Sequence, residues 1–173
     1  VKEQDLAFIA AFDEAMHAAG YVRYKLHDNA YWNSFIAYIK PGSKTPKIIA
    51  RIYLHDNTVL RVYASGIDKC RAYLEAAPAL IQQPFIDDSH QCKPCKGMRM
   101  ANGKCRYQKT YTLHGSTHVK CAEQSFCYTN LAAKDAQDYV NLVAAFYPVA
   151  AASVRSLQPE ELAHPAIASH FRT

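Results

Sequence analysis

Residues 21–63, YVRYKLHDNAYWNSFIAYIKPGSKTPKIIARIYLHDNTVLRVY, decide how this chain folds. From Tyr21 the hydrophobic period is two: Val22, Tyr24 and Leu26 oppose Arg23, Lys25 and His27, as on a half-buried strand. Asp28 and Asn29 end it. Residues 35–39 read as a second strand closed by Pro41 and Gly42, and residues 48–54 resume in β-rich side chains. Asp56 and Asn57 then turn the chain into a partner strand over 59–63. These connections are too short for parallel crossovers, so the segment makes an antiparallel meander and a doubly wound parallel fold is excluded.

Helices flank the meander. Before it, Asp5 is placed to cap a helix whose Ile9, Phe12, Met16 and Ala19 recur at three- and four-residue spacing, with Gly20 as its stop. After it, Ser65 and Asp68 fit a capping-box-like start, and Ile67, Cys70, Leu74 and Ala77 line one face before Pro78. Cys70 reads as a small buried hydrophobe. Residues 79–86 add a short helical piece interrupted by Pro84, and 87–91 read as a linker. Near Asn130 a further helix begins, with Tyr139, Val140, Val143 and Phe146 on one side and its end at or before Pro148. An alanine-rich segment, 150–157, and a short helix after Pro159 follow. The expected fold class is α+β: an antiparallel meander with flanking helices and a small cysteine-rich hairpin module. The expected divisions are 1–88 for the body, 89–129 for the module and 130–173 for helices packing back on the body.

Composition sets the outer bounds. The chain has 173 residues, half of them hydrophobic, with 20 Lys and Arg against 15 Asp and Glu for a net charge of +5. At that length a core needs no metal or disulfide to form, so the six cysteines call for another explanation. The longest nearly apolar run, 142–154, includes Pro148 and Ser153 and falls short of the roughly 20 residues of a bilayer span. No basic segment followed by an apolar stretch opens the chain, and a cytoplasmic location is expected. The charge is uneven. Residues 89–122 hold seven basic residues (Lys93, Lys96, Arg99, Lys104, Arg106, Lys109 and Lys120) and no Asp or Glu, leaving a net charge of −2 elsewhere.

The same segment carries Cys92-Lys-Pro-Cys95-Lys-Gly97, two thiols on a tight knuckle, followed by Cys105, Cys121 and Cys127. Strand-like residues 106–113 and 117–120 surround His114-Gly115-Ser116, a hairpin turn whose closure brings Cys105 and Cys121 together at the open end facing the knuckle. The preferred ligand set for a structural Zn2+ is therefore Cys92, Cys95, Cys105 and Cys121, with His90, His114 and His118 as fallback ligands. Cys127 is then a hydrophobic strand residue beside Phe126. Disulfides and free or redox-active thiols are the alternatives, chosen by compartment. Over about residues 92–121 the arrangement resembles a zinc ribbon, which implies one structural zinc held by knuckle and hairpin cysteines. It departs from that family in lacking a second closely spaced pair: Cys105 stands alone.

Three functions are expected of such a chain. The first is a non-catalytic binding protein with a structural zinc, whose basic surface, with Arg106, Tyr107, Lys109 and Tyr111 interleaved, docks nucleic acid or an acidic protein. The second is a small-molecule sensor. Twelve tyrosines and one tryptophan are many polar-edged aromatics for this length, and Tyr31, Trp32, Tyr53 and Tyr63 around the meander can wall a pocket for an apolar or planar ligand, with Arg51 and Arg61 available to an anion. The third is a zinc-dependent enzyme, although the module has no carboxylate, and the chain has no HExxH, phosphate-loop or nucleophile-elbow pattern.

Overall fold

A computed structural model describes residues 3–27, 34–42, 45–54, 57–92, 105, 107–122 and 125–149. The first helix, α1 (Glu3–Ala18), buries Phe8, Ile9, Phe12 and Met16 along one stripe. Asp5, expected as its cap, instead lies within the first turn and is buried. Gly20 ends the helix with φ +85°. The Gly20 amide donates to His17 O and the Tyr21 amide to Met16 O, the two bonds of a Schellman stop.

The meander forms as β1 (Val22–His27), β2 (Ser34–Ile39), β3 (Ile48–Leu54) and β4 (Val59–Val62), each antiparallel to the next. The phase of β1 differs from the simple alternation. Tyr24 is half exposed, whereas the Arg23 guanidinium reaches Asp13 of α1 at 2.9 Å. The register shifts between Arg23 and Lys25, so a bulge on this edge strand re-aims the side chains. Asp13 also accepts from the Tyr38 hydroxyl at 2.9 Å, which satisfies the polar end of a ring packed edge-on against Phe12.

After β4, Gly66 adopts φ +66° and leads into a 3-10 turn over Ile67–Cys70, α2 (Arg71–Ala76) and α3 (Ala79–Ile86). The expected capping box does not form. Asp68 accepts instead from the Arg71 guanidinium at 2.9 Å and from the Thr112 amide at 3.1 Å. Pro84 sits inside the last turn of α3 without ending it; its missing N–H removes the helical donor to the Leu80 carbonyl. Next come β5 (Gln108–Leu113), β6 (Ser116–Cys121), the two-residue β7 (Cys127–Tyr128) and α4 (Ala136–Phe146), which follows a 3-10 turn over Ala133–Asp135. As the spacing predicts, α4 buries Tyr139, Val140, Val143 and Phe146.

The main sheet has the order β1-β2-β3-β4-β7. Its last strand comes from the segment expected to belong to the cysteine module: Leu60 pairs with Tyr128 and Arg61 with Cys127. β5 and β6 form a separate hairpin. His114 and Gly115 occupy its turn with φ of +49° and +75°, the doubly positive pattern that matches strand twist in a two-residue connection. The hairpin contributes Tyr111 and Leu113 to the same apolar core as α1, α4 and the sheet.

Several tyrosines belong to that core, with their hydroxyls bonded. Tyr21 donates to Tyr147 O, Tyr111 to Phe85 O and Tyr128 to Ile81 O, at 2.8, 2.8 and 3.0 Å. Burial pushes the phenols of Tyr21, Tyr73 and Tyr139 up to about 12. An unfolded chain ionises each near about 10. Their contribution to stability is therefore intact below about pH 10 and lost as the pH rises toward 12. Urea midpoints are expected to hold steady to about pH 9 and then fall steeply. A midpoint unchanged between pH 10 and 12 would show that these phenols ionise without loosening the core.

The zinc-ribbon expectation is corrected here. Among the described residues no group of three or more His, Cys, Asp or Glu is arranged to hold a metal ion. Cys95 lies outside the described residues; Cys70, Cys105, Cys121 and Cys127 are free thiols. What fixes the hairpin is core packing by Tyr111 and Leu113 together with a buried ion pair. Lys120 is 1% exposed, and its ammonium donates to Asp87 Oδ1 and Ser89 O, each at 2.6 Å. Two of the fallback histidines have other partners: His114 Nε2 lies 2.8 Å from Gln82 Oε1, and the His118 ring stacks on Tyr111. The zinc-ribbon resemblance, the structural Zn2+ and the zinc-dependent functions are accordingly set aside.

Candidate functional site

One end of β4 meets the base of the hairpin and the end of α4, and a cavity of about 220 Å3 opens between them. Tyr63 and Phe126 form part of its wall, with Tyr107 from the hairpin and Tyr147 from the residue after α4. Lys47, Arg61 and Lys109 supply cationic side chains, Ser65 supplies a hydroxyl, and no carboxylate is among the described lining residues.

Each wall has a local cause. The Arg61 guanidinium lies 4.7 Å over the Tyr63 ring and donates to Ala122 O at 2.7 Å, which ties the sheet to the end of β6. The Tyr147 hydroxyl donates to Tyr63 O, and Ser65 Oγ reaches that hydroxyl at 3.4 Å. Lys47 Nζ sits 5.7 Å from the Tyr147 ring centroid. Phe126 adopts φ +63°, a backbone state that costs a bulky residue roughly 1–3 kcal/mol. Its ring is held there by stacking on Phe85 at 4.7 Å, and its carbonyl accepts from the Val62 amide at 3.0 Å.

Behind Tyr63 lies a cluster of guanidinium and phenol groups. Arg51 and Arg61 stand directly opposite each other across β3 and β4. The Arg51 guanidinium stacks 4.7 Å over Phe35 and 5.5 Å over Tyr63, with Nη1 3.5 Å from the Tyr53 hydroxyl. Burial pushes the Tyr53 phenol up, but hydrogen bonds involving Arg51, Tyr63 and Arg61 outweigh it and hold the phenol below its ordinary value. Burial and the bond to Tyr53 push the Tyr63 phenol up. Cys127, opposite Arg61, has its thiol pushed up by burial.

The residues named from sequence are thus distributed unevenly. Tyr63, Tyr107, Lys109 and Arg61 come together at the cavity; Tyr53 and Arg51 stand in the adjoining cluster. Tyr111 lies on the same hairpin but is buried against Phe85. Tyr31, Trp32 and Arg106 lie outside the described residues. Of the seven basic residues of 89–122, the two described are Lys109, on the cavity wall, and Lys120, buried with Asp87. Sequence reading missed Lys47, Ser65, Phe126 and Tyr147. Only the aromatic residues around the meander, Tyr63 among them, pointed to a walled pocket.

The fold and site define an α+β protein whose antiparallel sheet carries a small aromatic and cationic cavity at the β4 end. No protein-family model matches the chain, and neither a curated protein nor a solved structure matches it.

Proposed function

We propose that this chain is a small-molecule-binding sensor domain whose ligand is planar and occupies the cavity between β4, the hairpin base and the end of α4. The single observation that carries this reading is the convergence of Tyr63, Tyr107, Phe126 and Tyr147 on one cavity of about 220 Å3. Drug-sized pockets run to about 300–1,000 Å3, so the ligand is smaller than those. Aromatic rings from four separate stretches of chain provide flat apolar walls, and Ser65 with the three cations provides polar anchors. The free thiols at Cys70, Cys105, Cys121 and Cys127 suit a reducing compartment such as the cytoplasm. Among the described residues no helix is long and apolar enough to cross a membrane.

Titrating isotope-labelled protein with single-ring compounds tests the reading. Saturable amide shifts are expected at Ala64, Ser65 and Ala122, and Tyr107→Ala is expected to weaken binding about tenfold through loss of one stacking face. Absence of saturable shifts across neutral and charged rings at millimolar concentration overturns it.

A further inference from the structure

We propose that the ligand of this cavity is a small aromatic carboxylate, its ring between the tyrosines and its acidic group facing the cations; this rests on the small-molecule reading above. Charge carries the inference. Lys47, Arg61 and Lys109 come from three different stretches of chain, yet all line one small cavity, with no Asp or Glu among the described lining residues. Lys47 and Lys109 form no ion pair among the described residues, whose ion pairs join Asp13, Asp68 and Asp87 to other cations.

Arg51 adds a further positive charge behind Tyr63. It sits directly across from Arg61, and its Nε is buried without a hydrogen-bond partner. Like charges directly opposite on adjacent strands are destabilising. A cleft lined by one sign of charge with low-dielectric walls concentrates the opposite charge, so an anion is the ligand that this arrangement stabilises most.

Size and shape choose among anions. A cavity of about 220 Å3 is somewhat larger than the roughly 150 Å3 of an engineered cavity that takes up benzene, room for one ring bearing one acidic group. The aromatic walls disfavour a bare inorganic anion, which gains nothing from stacking. Both lysines act as point charges on flexible stems, and Arg61 is already directed by its bond to Ala122 O, so the lysines are the groups able to close on the carboxylate.

Benzoate and its neutral isostere benzamide, titrated in parallel by calorimetry and amide shifts, test this. Benzoate is expected to bind at least tenfold more tightly than benzamide. Lys47→Gln and Lys109→Gln are each expected to weaken benzoate about three- to tenfold while leaving benzamide unchanged. Benzoate affinity is also expected to fall with added salt. Equal affinity for the two compounds, or lysine variants that weaken both alike, overturns the carboxylate assignment while leaving the pocket standing. No saturable binding of either overturns both readings. Circular dichroism of each variant confirms that the comparison is made on folded protein.

Discussion

Truncating Phe85 to alanine is expected to destabilise the protein by about 3–5 kcal/mol, the range for deleting a fully buried aromatic ring. Phe85 is 0% exposed and joins parts of the chain that are distant in sequence. Its ring stacks on Phe126 and Phe146, with centroids at 4.7 and 6.1 Å, and meets Tyr111 edge-on at 6.3 Å. Removing it leaves a void bordered by the hairpin, α4 and the residue before β7, which cannot collapse together because each is held by its own backbone bonds. The Phe85 carbonyl, which accepts from Tyr111, survives the substitution, so the loss reports packing rather than hydrogen bonding. Urea denaturation followed by tyrosine fluorescence and far-ultraviolet dichroism checks the value. A cost below about 1 kcal/mol would mean that the hairpin does not share the core.

Replacing Asp87 by asparagine is expected to cost about 3 kcal/mol or more, because it leaves a buried ammonium without its counter-charge. The pair is asymmetric: the Lys120 side chain is 2% exposed and that of Asp87 31%. Lys120→Met, which abandons a carboxylate that water can reach, is therefore expected to cost less. The double variant should be less damaged than the sum of the two single changes, since it removes the stranded charge. Acid dependence follows from the same geometry. Burial pushes the Asp87 carboxyl up, but its bonds with Lys120 and Ser89 outweigh that and hold it below the usual carboxylate value. Its contribution is thus present above the ordinary carboxylate pKa of about 4 and lost as the pH falls through the lower folded value. Stability measured from pH 6 down to 2 should decline less steeply in Asp87→Asn than in the native chain. Parallel declines would remove Asp87 from the acid response.

The buried Lys120 also accounts for why charge counting misdirects. A lysine in a basic segment looks like surface, yet one carboxylate at the end of α3 and two nearby carbonyls draw it inside. A cysteine spacing that fits a metal knuckle specifies only what the backbone permits. Whether side chains converge depends on neighbours in space, and here the described part of the module meets the body through Tyr111, Leu113 and Lys120 of the hairpin and through Phe126 and β7.

The sequence by itself determined the antiparallel meander of 21–63, the Gly20 stop, a hairpin turn around His114-Gly115-Ser116 and the buried face of α4. These follow from short-range rules: side-chain period, glycine freedom at positive φ, and the spacing of apolar residues. Tertiary structure decided what joins at long range. It placed Cys127 and Tyr128 beside β4, turned Arg23 toward Asp13, and gathered Lys47, Tyr107 and Tyr147 around one cavity. No local pattern encodes such meetings, because they are fixed by how whole faces pack and by which buried charges and hydroxyls find partners.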